Sequence, residues 1–227
     1  MTATRLPMRA LIGVALCTVL LAGVAARAGA DEIGLDTYFN NIGIAQDPIS
    51  GADFDGVGFS YSALALRLAG VEPGGTVAAD GFEFTWPDQP SGGADNVASF
   101  GQTVPVTVPA DATRIGFLTA ANHGPSQANV ILNYTFVDEL GAPQTSRVTV
   151  PVVVSDWTLN GGGQQPAAGN TVAITTQFRM LQSAVPEPTK AYVFVVSVPI
   201  DPTMELVSVK LPLGTAGQVH VFGMATK

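Results

Sequence analysis

Two carboxylates and a glycine stand together in Asp53-Phe54-Asp55-Gly56. Hard oxygen ligands at alternate positions can meet one ion, which makes this a fragment of calcium-loop chemistry. Asp53 and Asp55 are the candidate ligands of a structural calcium, but the full loop pattern of about twelve residues is missing, and plain turn residues are the favoured reading. Asp95-Asn96, following Gly92-Gly93, forms a second oxygen-rich turn. The aromatic residues offer different chemistry. Faces of Trp and Tyr rings suit the C–H side of a sugar ring, while Asp, Asn and Arg fix its hydroxyls; the same rings also build cores. Trp86 alternates with Phe82 and Phe84, which places it in a core. Trp157 follows Ser155-Asp156 at the end of a Val-rich strand, beside a Gly-rich loop, and its spacing fits a core edge and an exposed platform equally. Tyr61, in Gly58-Phe59-Ser60-Tyr61-Ser62, reads as a loop residue, and loops are where binding residues concentrate. The expected ligand-binding set is therefore Asp55, Tyr61, Asp95, Asn96 and Trp157.

Catalytic chemistry has no local signature. His123 falls in a turn, and His220 lies out of phase with Val219 and Val221 in the last strand. There is no G-x-S-x-G elbow. Glycoside hydrolysis needs two opposed carboxyls, but the acids here sit mostly beside Gly, Pro or Asn, where turn formation explains them. No catalytic residue is expected, and the chain reads as a non-enzyme.

The totals narrow the class. The chain is 47% hydrophobic and 12% charged, against about 25% charged in an ordinary domain. Arg5, Arg9 and Arg27 give the first thirty residues their only charges; removing them from a chain of formal charge −8 leaves −11. Only scattered cations remain, so nucleic acid is excluded as a partner, and adsorption to anionic membranes is disfavoured. Residues 1–30 have the build of a signal peptide: a basic start, an uncharged apolar stretch, and the cleavage motif Ala28-Gly29-Ala30 before Asp31. The lone cysteine, Cys17, lies inside this segment after Leu16, which does not fit a lipidation site. The mature chain would carry no thiol, no disulfide and no membrane anchor, and would be secreted.

Strands must position whatever does the chemistry. Residues 37–44 read as an extended opening strand, ended by Asp47-Pro48. Residues 62–69 fit a short helix capped by Ser60 or Ser62 and stopped by Gly70; the alternation of Leu64, Leu66 and Leu68 fits a strand as well. Apolar alternation then predicts strands over 81–86, 103–108, 114–120, 128–137, 147–154, 171–178, 191–198, 205–211 and 219–224. Many short strands separated by Gly/Pro/Asn/Asp turns predict an all-β protein, an antiparallel β-sandwich of jelly-roll type or a barrel, with room for one short helix. Residues 31–227 are expected to form a single such domain.

Several segments carry a resemblance. Phe39-Asn40-Asn41-Ile42-Gly43-Ile44, Phe54-Asp55-Gly56-Val57-Gly58-Phe59-Ser60-Tyr61-Ser62, Phe84-Thr85-Trp86-Pro87 and Asp95-Asn96-Val97 resemble the accessory β-sandwich modules of secreted actinobacterial glycoside hydrolases. Ser155-Asp156-Trp157, Ser197-Val198-Pro199-Ile200-Asp201 and Val221-Phe222-Gly223-Met224-Ala225 extend the likeness. The resemblance implies a galactose-binding-like sandwich that assists binding to glycans, with no catalytic residue to carry over. The expected function is a secreted, non-catalytic carbohydrate-binding protein. The alternatives are a cell-surface structural or protein-interaction sandwich and, less favoured, an uncharacterised hydrolase.

Overall fold

The computed structural model describes residues 33–46, 51–90 and 92–227. The expected signal segment at 1–30, Asp31 and the expected turn at Asp47-Pro48 lie outside the described residues. The chain begins with a 3₁₀ turn at Asp36–Tyr38, then β1 (Ile44–Ala45), β2 (Phe59–Ser62) and α1 (Ala63–Leu68). Next come β3 (Thr76–Ala79), β4 (Phe82–Thr85), β5 (Val97–Ala98) and β6 (Thr103–Pro105). The long strands β7 (Arg114–Ala121), β8 (Ser126–Val137) and β9 (Pro143–Val154) follow, then a tight turn, α2 (Leu159–Gly162). The remaining strands are β10 (Asn170–Thr176), β11 (Arg179–Leu181), β12 (Pro186–Glu187), β13 (Ala191–Pro199), β14 (Glu205–Lys210) and β15 (Val219–Thr226).

These strands make an all-β sandwich. A five-stranded sheet, β10-β13-β7-β15-β5, faces a four-stranded sheet, β6-β14-β8-β9, and every pairing within the two is antiparallel. Ile115 and Phe117 of β7, Val196 and Val198 of β13, and Val219 and Val221 of β15 meet Val130, Leu132, Leu206 and Val209 between the sheets. The outer sheet alternates as a one-sided sheet should: in β8 each buried residue is followed by a more exposed one as far as Thr135.

The central sheet departs from that pattern. All eight residues of β15 are buried. The reason is a third layer. Helix α1 and β3 pack on β10, β4 packs on β15, and β2 lies with them. Leu118, Ala120, Val193, Val195 and Phe222, on the opposite face of the central sheet, close against Ile44, Phe54, Tyr61, Leu66, Trp86 and Trp157. A strand covered on both faces reads as a continuous apolar run, as in Ala191-Tyr192-Val193-Phe194-Val195-Val196. Trp86 is buried as expected, stacked on Phe222 at a centroid distance of 4.9 Å.

One open reading is decided and one expectation changes. Residues 62–69 become helix because the Ser62 hydroxyl accepts the Ala65 amide at 3.0 Å and Gly70, at φ 84°, ends the turn. Helical spacing buries Leu66 and leaves Leu64 and Leu68 exposed. Residues 37–44 are not one strand. Leu35 docks in the core, and the Asn40 side chain substitutes for a ladder: its Oδ1 accepts the Ala98 amide at 2.7 Å while its Nδ2 donates to the Ala98 carbonyl at 3.1 Å. Among the described residues, no helix is long and apolar enough to cross a membrane.

The third layer presses close at Gly116, where an added Cβ would lie 2.9 Å from the Phe82 ring. Gly116→Ala is expected to lower stability by about 1–3 kcal/mol through overpacking. Gly34→Ala, with open space around it, should shift stability by no more than about 0.5 kcal/mol. Urea midpoints of the two variants test the difference.

Candidate functional site

Asp53 and Asp55 sit in the turn that leads into β2. Gly56 and Gly58 take left-handed backbones, φ 76° and 96°, which turn successive amides inward. Asp53 Oδ1 accepts the amides of Gly56 at 2.7 Å and Gly58 at 3.1 Å, and Asp55 Oδ1 accepts those of Val57 and Phe59, both at 3.0 Å. The loop therefore caps itself with the oxygens expected to hold calcium. Among the described residues, no three His, Cys, Asp or Glu side chains converge on a point. Burial raises the Asp55 pKa, and the Phe59 and Val57 amides oppose that rise.

Asp95 and Asn96, expected on a binding loop, lie in the interior at 5% and 0% exposure. Asp95 accepts the Gly43 and Ile44 amides, one on each oxygen, both at 2.9 Å, which fixes the opening segment to β5. Asn96 Nδ2 donates to Asp95 Oδ1 at 2.7 Å and to Asn41 Oδ1 at 3.0 Å. That leaves Asn96 Oδ1 as an acceptor for His220 Nδ1 at 2.7 Å, so the neutral imidazole carries its proton on Nδ1. Asn122 Nδ2 lies 3.5 Å from the other ring nitrogen and 3.4 Å from the Asp55 carbonyl. A continuous polar chain thus runs from Asp95 to the back of the Asp55 loop.

The two aromatics expected to face solvent are also covered. Tyr61 is 0% and Trp157 2% exposed. Both rings pack on Phe54, at 4.9 and 4.8 Å between centroids, and His220 lies 4.1 Å from the same ring. The Tyr61 hydroxyl donates to the Tyr192 carbonyl at 2.7 Å, and burial raises its pKa well above the ordinary value. A sugar platform needs an open ring face; here the driving force to bury aromatic surface closes both.

What remains open is a cleft of about 330 Å³ beside this cluster. Its floor is formed by Asp55, Asp156, Trp157 and Thr158, and its rim by His123, Asn160, Gln164 and Arg179. The walls are two turns, 122–124 and 157–163. His123, Leu159 and Asn160 have φ of 55°, 50° and 53°. Left-handed non-glycine residues are costly and gather at functional sites. Asp156 holds them: Oδ1 accepts the Thr158 amide and hydroxyl and the Asn160 amide, and Oδ2 accepts the Gly124 amide at 2.8 Å. One carboxylate clamps both walls.

Arg179 forms the opposite wall. Its Nε donates to Glu187 Oε2 at 2.5 Å, and its guanidinium carbon lies 3.6 Å above the Phe59 ring centroid and 5.4 Å from that of Trp157. Of the expected ligand set, only Asp55 and Trp157 reach the cleft, Trp157 with little of its surface. Arg179, Asp156, Asn160, Gln164 and His123 come from the structure. The one sequence trace of them is Asp156-Trp157-Thr158 running into Asn160-Gly161-Gly162-Gly163, an Asx turn before residues that tolerate left-handed backbone. No protein-family model and no curated protein matches this chain.

Removing the clamp should open the cleft. Asp156→Asn replaces an acceptor oxygen with an amide nitrogen, and is expected to lower stability by about 2–3 kcal/mol; faster hydrogen exchange confined to 122–124 and 158–163 checks the assignment. The interior chain makes a pH prediction. Burial raises Asp95 to about 6, against the opposing bonds of Asn96, Gly43 and Ile44, and lowers His220 to about 3. The Asp95 contribution to stability is full below about 3.8 and is lost as pH rises through 6. The His220 contribution is full above 6.5 and is lost as pH falls through 3. The two slopes oppose each other from about pH 4 to 6. Across that range Asp95→Asn should gain stability as pH rises and His220→Gln should lose it. Denaturation at stepped pH would refute the pairing if both variants sloped the same way.

Proposed function

We propose that this chain is a secreted, non-catalytic glycan-binding protein, and that its ligand site is the cleft between the 122–124 and 157–163 turns rather than an aromatic platform. The observation that carries the reading is the cleft itself: fixed polar groups of both signs on walls held in left-handed conformation by Asp156. Its volume is at the lower end of the roughly 300–1,000 Å³ of small-molecule sites. A polar lining with hydroxyl, amide, carboxylate and guanidinium groups matches the hydroxyls of a sugar.

The non-catalytic part rests on the lack of a catalytic signature in the sequence and on how Asp156 and His220 are used. Both Asp156 oxygens are filled by protein donors, and His220 keeps its ring in the interior chain. The secreted part rests on the signal-peptide build of residues 1–30. The resemblance to accessory modules of glycoside hydrolases supports the choice of glycan as ligand. The rival reading, a sandwich that pairs with a protein partner through an edge, is less well supported. The open edge strand β9 carries an exposed Arg147 and prolines at 143 and 151, devices that block strand addition.

Binding to a panel of soluble polysaccharides by affinity electrophoresis and calorimetry tests the proposal. At least one glycan should bind, and Arg179→Ala should weaken it at least about tenfold, or 1.4 kcal/mol. Lys210→Ala, distant in the outer sheet, should not. Failure to bind any polysaccharide overturns the reading.

A further inference from the structure

We infer that the cleft recognises a pair of adjacent uncharged hydroxyls, held between Asp55 and Arg179, and rejects acidic sugars; the inference rests on the glycan-binding reading. Asp55 has one oxygen filled by the Val57 and Phe59 amides. The other has no hydrogen-bond partner among the described residues, and Asp55 lines the cleft. Arg179 is the complement. Its Nε is taken by Glu187 and its plane rests on Phe59, while neither terminal nitrogen has a partner among the described residues. A guanidinium held this way offers its donors in one direction.

The cleft thus holds one unfilled acceptor and one unfilled pair of donors, with opposite charge. A vicinal diol answers both: one hydroxyl donates to Asp55 Oδ2, and its neighbour accepts from Arg179. A carboxylate on the ligand would satisfy Arg179 but set its charge against Asp55 and Asp156, with Glu187 already neutralising the guanidinium. An ammonium would satisfy Asp55 and leave the Arg179 donors unpaired and repelled. Unpaired polar groups in a site are strongly discriminated against. Asn160 and Gln164, both exposed on the rim, are placed to meet further hydroxyls.

The test is calorimetry on the full mature chain with neutral cello-, xylo- and galacto-oligosaccharides, oligogalacturonates of equal length, and free glycine as the zwitterionic control. A neutral series should bind, with the uronates at least about tenfold weaker; glycine can pair with both Asp55 and Arg179, but its carboxylate still faces Asp156 and an Arg179 neutralised by Glu187, and it should bind more weakly than the neutral series. Asp55→Asn keeps an oxygen for the Val57 and Phe59 amides but turns the free acceptor into a donor; it should weaken the neutral ligand about tenfold and narrow the gap to the uronates. Arg179→Lys keeps the charge and loses the fork, and should also weaken the neutral ligand about tenfold. Unchanged thermal midpoints show that the variants are folded. Uronates binding as tightly as neutral sugars, or Asp55→Asn leaving neutral binding unchanged, overturns the inference while the glycan reading stands. Binding of glycine with no saccharide bound overturns both.

Discussion

Burying the central sheet on both faces forces every polar group that enters the third layer to find a partner inside the protein. His220 is where that requirement is most severe. It lies on β15, at 1% exposure, against the ring of Phe54. An imidazolium there would have no counter-charge, so the ring stays neutral and its Nδ1–H donates to Asn96 Oδ1. Asn96 can accept that hydrogen bond because its amide nitrogen is turned to Asp95 and Asn41. Asp95 in turn ties down the amides of Gly43 and Ile44. One buried ring thus dictates the conformation of a segment far from it in sequence. Through Asn122, the same chain also reaches the rear of the Asp55 loop.

The strands were legible where one face stays wet. In β8, apolar and polar residues alternate because the outer sheet is covered on one side only. The third layer was not legible. Phe82 and Phe84 announce a buried face, but nothing in their spacing says that they cover a sheet already paired on its other side. Position 64–68 shows the limit of pattern: leucines at every second residue suit a strand, and the Ser62 cap with Gly70 decides for helix.

The site was legible in composition and misread in place. Asp, Asn, Tyr and Trp are the residue types that a polar site would use, yet most of them were drawn inward. Tyr61 and Trp157 are large apolar surfaces in reach of Phe54, and burial wins over display. Asp53 and Asp55 resemble ligands because a loop that caps its own amides needs the same oxygens at the same spacing as a loop that binds an ion. Arg179 had no motif at all. Its place depends on β11 pairing with β2 across more than a hundred residues of chain, with Arg179 opposite Tyr61, and local pattern carries no information about such a partner.

The left-handed run at Leu159 and Asn160 has a thermodynamic consequence for whatever enters beside it. Asp156 sets this wall during folding, so a guest need not freeze a mobile loop on arrival. Its own rigid-body freedom and its shed hydration then dominate the entropy of association. A wall fixed in this way is prepared in advance, so even a small, weakly sticking molecule would not have to reshape it.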